Sequence, residues 1–172
     1  MRSKWIVVPL VGLFGVAVFT ANILATPATG QSTTTLAKSQ FDPISIRAHS
    51  DPPGSWRTKL KTKGLSDVYV VDNKFDPVNT ATNVVAGSGW HSHPGPSLIF
   101  VVAGTVTNYS SDDKKCEGHA YSAGQGFVDS GEDVHNLRNE GNVPAETIAV
   151  QFLQGGAPTR RIDQPKPANC PF

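Results

Sequence analysis

The stretch Gly89-Trp90-His91-Ser92-His93-Pro94-Gly95-Pro96-Ser97-Leu98-Ile99-Phe100-Val101-Val102-Ala103-Gly104 sets a His-x-His pair, a proline-glycine turn and a short β-forming run side by side. In a strand, residues i and i+2 point to the same face, so His91 and His93 project their imidazoles to one place. Pro94, Gly95 and Pro96 end that strand, and 97–102 reads as the next one. A third histidine, His135, opens another run some forty residues later, with Leu137 and Asn139 on its own face. One histidine at a strand end is most often a satisfied polar group. Three from two strands make a set of imidazole donors that leaves coordination positions open, as a catalytic metal needs.

Outward from this stretch the chain is a series of short runs rich in Val, Ile, Thr, Phe and Tyr, broken by Gly, Pro, Asn and Asp. They fall at 44–48, 67–72, 82–86, 97–102, 105–109, 126–129, 135–138 and 146–153. Eight such runs at close spacing predict an all-β sandwich or barrel. No segment after residue 30 carries apolar residues at helical spacing for ten or more positions, and only 56–63 is open to a short helix. Residues 29–40 are rich in Ser and Thr and read as a linker. The barrel is then expected over 41–157. The tail 158–172, with Pro158, Pro165, Pro167 and Pro171, is expected to run extended over the surface.

The block from Gly89 to Gly104 resembles the first motif of the cupins, which has a glycine, a His-x-His pair, a glutamate and a later glycine. Gly126, Gly131, His135 and Asn139 resemble the second motif, with Gly131 one residue further from His135 than that pattern has it. The wider block 87–153 is similar to the small single-domain exported cupins of actinobacteria. The resemblance implies a double-stranded β-helix, a jelly-roll-like barrel with a metal at its mouth. It also implies His91, His93 and His135 as metal ligands. Where cupins carry the glutamate ligand this chain has Ser97, so Ser97 marks the possible fourth ligand position with a hydroxyl instead of a carboxylate. Asp129, Glu132, Asp133 and His119 are alternative donors. Loss of a negative ligand disfavours manganese and magnesium relative to iron, nickel, copper or zinc. Asn139 is placed either to orient His135 through its amide or to close the turn before Glu140-Gly141-Asn142.

Arg2 and Lys4, the uncharged run 5–19 and the small residues 25–30 follow the order of a secretory signal. Residues 1–28 are therefore expected to be a signal peptide or, alternatively, an N-terminal membrane anchor through residues 5–25. Either places the remainder outside the cytosol, secreted or extracytoplasmic, where Cys116 and Cys170 pair as a disulfide. The formal charge is +1 for 172 residues, and no arginine stripe alternates with aromatics. Nucleic-acid binding is excluded on those grounds.

Two functions of different class fit these residues. One is a metalloenzyme of the dioxygenase or isomerase kind, in which a divalent ion on three histidines meets a small-molecule substrate. The other is a non-catalytic exported module that binds a sugar or other small ligand. No nucleophile with an adjacent base stands near the histidines, so the catalytic residues are left unknown. A homodimer through barrel edges is the oligomeric state the resemblance allows.

Overall fold

The computed structural model describes residues 25–50, 54 and 56–172. The expected signal or anchor, residues 1–28, lies outside the described residues as far as residue 24. The described chain is all strand: β1 (Gln31–Phe41), β2 (Ser45–His49), β3 (Arg57–Lys61), β4 (Ser66–Phe75), β5 (Ala86–Gly87), β6 (His91–Ser92), β7 (Ser97–Ala103), β8 (Thr105–Ser110), β9 (His119–Ser122), β10 (Gly126–Asp129), β11 (His135–Asn139), β12 (Ala145–Gln154) and β13 (Ile162–Asp163). Among the described residues no helix is long and apolar enough to cross a membrane.

Two antiparallel sheets form the double-stranded β-helix. The larger runs β1-β4-β12-β7-β10; the smaller runs β13-β6-β11-β8-β9, with β5 also paired to β11. Strand β12 shows why the sequence folds this way. Ala145, Thr147, Ala149, Gln151 and Leu153 are buried while the residues between them are half-buried, the period of two that sets one face against a core. Phe75, Ala86, Val101, Val106, Leu137 and Ala145 fill the space between the sheets, with Tyr121 and Phe127 packed against them. On the outward face, Leu98, Phe100 and Val102 of β7 lie beside Val128 of β10, all exposed.

Three expectations need correction. Residues 29–40 are not a linker: Thr29 bridges to Gly87, and β1 pairs with β4 from Gln31↔Phe75 to Phe41↔Ser66. Its Thr-rich composition suits an edge strand, where β-branched residues favour the extended backbone and polar pairs replace a buried face. Thr33 Oγ1 donates to Asn73 Oδ1 at 2.9 Å, and Lys38 Nζ sits 3.0 Å from Asp67 Oδ2. Nor is 56–63 a helix. The alternation Arg57-Thr58-Lys59-Leu60-Lys61 has period two, and β3 pairs with β2 in a separate hairpin.

The tail is the third correction. It does run over the outside, but it is held there and forms part of the barrel. β13 pairs with β6, setting Ile162 opposite Ser92 and Asp163 opposite His91. Beyond it, Trp90, Cys116 and Cys170 make a second buried cluster, with Tyr109, Val134 and Phe172 around it. Trp90 Nε1 donates to Phe172 O at 3.0 Å, and the Arg138 guanidinium lies 3.8 Å from the Phe172 ring centroid. The expected disulfide Cys116–Cys170 closes this cluster across a sequence separation of 54.

Closing a loop of that length stabilises a chain by about 4 kcal/mol in the loop-entropy account. The double variant Cys116→Ala/Cys170→Ala is expected to lose a large part of that. Urea unfolding of variant and parent measures it; equal midpoints would show that the bridge does not hold the tail.

Candidate metal centre

The site is built where β6 and β11 meet. His91 and His135 are Cα partners across that pair, and His93 follows β6 at the start of the turn 93–96. Two close backbone approaches hold the turn. His93 N–H donates to Gly131 O at 2.6 Å, and a Cβ on Gly131 would come within 2.3 Å of Gly95 O. Gly131 also has φ +95°, a conformation that side-chain-bearing residues rarely adopt. The loops carrying His93 and His135 thus touch only because glycine stands at the contact.

The three imidazoles sit together, with ring centroids 4.3 Å apart for His91–His135, 4.8 Å for His91–His93 and 5.3 Å for His93–His135. One nitrogen from each lies within 4.8 Å of those of the other two. Their hydrogen bonds set the tautomers. His91 Nδ1 bonds Gly89 O at 2.8 Å, His93 Nδ1 bonds Arg160 O at 2.6 Å, and His135 Nδ1 bonds Asp133 O at 3.0 Å. A carbonyl oxygen only accepts, so each Nδ1 carries the hydrogen and each Nε2 keeps its lone pair. The Gln151 amide nitrogen also lies 3.3 Å from His93 Nδ1, but the shorter contact to Arg160 O decides where that hydrogen points.

Burial reinforces neutrality. The His91 imidazole is held far below its usual range, first by desolvation and then by repulsion from His135, Arg161 and His93. His93 is lowered too, again chiefly by burial, with its bond to Arg160 O and the nearby Asp129 charge working the other way. Three imidazoles whose Nδ1–H groups are tied to carbonyls turn their Nε2 atoms to one place, the donor set a first-row divalent ion takes.

Among the acidic alternatives, Asp129 is the one brought to the histidines. Its Oδ2 lies 3.6 Å from His93 Nε2 and its Oδ1 3.7 Å from His135 Nδ1. Oδ1 accepts from Gly131 N at 2.8 Å, whereas the buried Oδ2 makes no hydrogen bond. A buried carboxylate oxygen left unbonded beside imidazoles is costly unless a cation completes it, which fits a metal here. Ser97 is fully buried with an unbonded hydroxyl, and β7–β10 register sets it directly opposite Asp129. Register thus sets a carboxylate directly across the ladder from Ser97. Glu132 and Asp133 are exposed, and Asp133 Oδ2 accepts from Ser130 instead. His119 is exposed on β9 opposite Asn108.

Asn139 does not orient His135. Its amide donates to Asp76 O and Val143 O and its Oδ1 accepts from Gly141 N, so it closes the turn, the other role left open for it. Reading from sequence missed Arg160, Arg161 and Gln151, which line the cavity with the three histidines. Arg160 and Arg161 precede β13, whose two residues carry no periodicity, and Gln151 is one polar position on β12.

A cavity of about 90 Å³ between the sheets is lined by the histidines and by Val71, Phe75 and Gln151, among others. A double-stranded β-helix with a histidine-lined cavity between its sheets defines the class of protein. Residues 83–151 match the family model described as a cupin domain, Cupin_2. Among solved structures, it is similar to the polyketide cyclase RemF from Streptomyces resistomycificus at 13% identity and TM-score 0.49, over 86% of this chain and 82% of that one. It is also similar to a double-stranded β-helix protein from Klebsiella pneumoniae at 18% identity and TM-score 0.44, over 72% and 86% of the two chains. A third is KdgF from a Halomonas species, at 17% identity and TM-score 0.41, over 71% and 78%. Likenesses this distant say nothing about substrate or activity. No curated protein shows significant sequence similarity to the chain.

The neutral histidines predict acid sensitivity. In the unfolded chain His91 and His93 take up protons as pH falls through their ordinary value of 6.5, while in the folded protein they stay neutral. The unfolded state then binds more protons, so stability is full above about pH 6.5 and falls below it, by at most about 1.4 kcal/mol per pH unit for each histidine. Urea unfolding of chelator-treated protein at pH 7 and pH 5 measures this, and His91→Asn should flatten the difference. An unchanged midpoint at pH 5 would show that these imidazoles protonate in the fold.

Proposed function

We propose that the protein is an exported metal-dependent cupin, in which His91, His93 and His135 hold one divalent iron, nickel, copper or zinc ion beside a small-molecule pocket. The observation that carries this is the set of three Nδ1–H bonds to Gly89 O, Arg160 O and Asp133 O, which leaves three Nε2 lone pairs in one place. Asp129 completes the donor set with its unbonded Oδ2. A first-row ion held there supplies Lewis acidity and, if redox-active, one-electron chemistry of the kind a dioxygenase needs; an isomerase needs only the former.

The chain's own residues divide the remaining work. The carbonyls fix each ring so that binding a ligand requires no reorganisation of the imidazoles. Val71, Phe75, Ile99, Phe127 and Leu137 give the cavity an apolar part of its wall. Gln151, held by Arg160 Nη1 at 2.9 Å, presents a fixed amide in the same wall. Export is supported by the signal-like order of residues 1–28 and by the Cys116–Cys170 bridge, which persists in oxidising compartments. A homodimer is supported by the exposed side chains of Leu98, Phe100, Val102 and Val128, which share one outward face of the larger sheet.

Elemental analysis of the purified protein is expected to find about one first-row ion per chain. His91→Ala, His93→Ala and His135→Ala should each lose it, and Asp129→Asn should weaken binding by roughly 10–100-fold. A folded parent without metal, even after reconstitution, would overturn the reading. Light scattering addresses the dimer: twice the chain mass is expected, falling to one chain mass in Phe100→Asp/Val128→Asp. A monomeric parent would remove the dimer from the reading.

A further inference from the structure

The geometry points to a small carboxylate as the ligand of the cavity, anchored by the Arg160 guanidinium. This deepens the proposed function and rests on its reading of the cavity as a small-molecule pocket.

Arg160 reaches the cavity because β13 pairs with β6, which draws the tail across the site and sets the Arg160 carbonyl 2.6 Å from His93 Nδ1. Its guanidinium lines the cavity and is half-buried. Nη1 donates to Gln151 Oε1 at 2.9 Å, and the group lies 5.5 Å from the Tyr69 ring centroid. Neither neighbour is charged. Among the described residues no carboxylate lies within salt-bridge distance of Arg160, whereas Arg161 has Asp163 and Arg138 has Glu140. A half-buried guanidinium left without an anion retains a fork of N–H donors matched to a planar carboxylate.

The remaining walls carry the same message. Gln31, Thr33, Asn73, Thr147 and Gln151 contribute neutral polar groups, and no Asp or Glu lines the cavity. Arg161, the other guanidinium on the wall, is paired with Asp163, so Arg160 is the one that faces the ligand without a carboxylate partner. Gln151 touches both the guanidinium and His93, so the anion-binding end and the imidazole end are fixed relative to each other. Size limits the ligand as well. The volume of about 90 Å³ has room for a carboxylate of a few heavy atoms such as acetate, glycolate or pyruvate.

The test titrates the full protein, metal-loaded and chelator-treated, with acetate, glycolate, pyruvate, the neutral isostere acetamide and inorganic phosphate. Binding is read by calorimetry and by thermal shift, with metal content measured on the same samples. At least one carboxylate is expected to bind while acetamide does not. Arg160→Met should weaken that carboxylate at least tenfold with metal content unchanged, and Arg160→Lys should restore part of the loss. Carboxylate binding that survives Arg160→Met, acetamide binding as well as acetate, phosphate as the sole anion bound, or no carboxylate bound in either form would each overturn the proposal. Arg160-dependent carboxylate binding in a protein that holds no metal would support it while overturning the metal reading. Should Arg160→Met fail to fold, the acetate–acetamide contrast in the parent together with Arg160→Lys decides.

Discussion

Three imidazoles buried within a few ångströms of one another can share that space only if they stay uncharged. Two protonated rings with centroids 4.3 Å apart would repel strongly in a medium that screens poorly. Burial disfavours the charged form of His91 and His93, and a backbone carbonyl on each Nδ1–H fixes the orientation of all three rings. Each carbonyl comes from a different part of the chain: Gly89 just before β6, Asp133 just before β11, and Arg160 in the tail. Barrel, loops and tail therefore all have to be in place before the histidines can converge.

The tail is the least obvious of these. A chain end rich in proline ordinarily contributes little, because it lacks the donors and the periodicity to join a sheet. Here it is held at two points. The short β13 ladder fixes it beside His91, and further on the Cys116–Cys170 bridge, Trp90 and Phe172 fix its end. Trp90 immediately precedes His91, the first residue of β6. The indole that holds the end of the tail is thus adjacent in the chain to the first imidazole. Thr26 adds a third tie, donating its N–H to Gln164 O and accepting from Trp90 N–H through its hydroxyl.

Most of the barrel was legible because its strands carry period-two burial or β-branched runs. The runs at 67–72, 97–102, 105–109, 126–129, 135–138 and 146–153 all lie within strands of the fold. The His-x-His spacing likewise brought His91 and His93 to one place, and His135 joined them. What stayed hidden has a common physical cause. β1 is an edge strand whose stabilising pairs are polar, so hydrophobicity says nothing of it. β13 is two residues long, below any period. Asp129 reads as one acidic residue in a turn until register sets it opposite Ser97. Arg160 reads as a surface charge until the tail is known to fold back. Long-range pairing decides each of these, and local pattern does not carry it.

The pairing of Ser97 with Asp129 also bears on the charge of the site. A glutamate on β7 would place its carboxylate at the end of a longer side chain, free to reach into the cavity. The shorter Asp129, on β10, has its Oδ1 tied down by Gly131 N–H and does not line the cavity. The negative charge is thus kept beside His93 and His135, and the space facing a ligand is left with no anion of its own. Arg160 stands in that space with no carboxylate to neutralise it. One acidic oxygen therefore lies beside His93 and His135 while the walls that face a ligand carry Arg160 and no acidic side chain, an arrangement that favours an anion over a cation in the cavity.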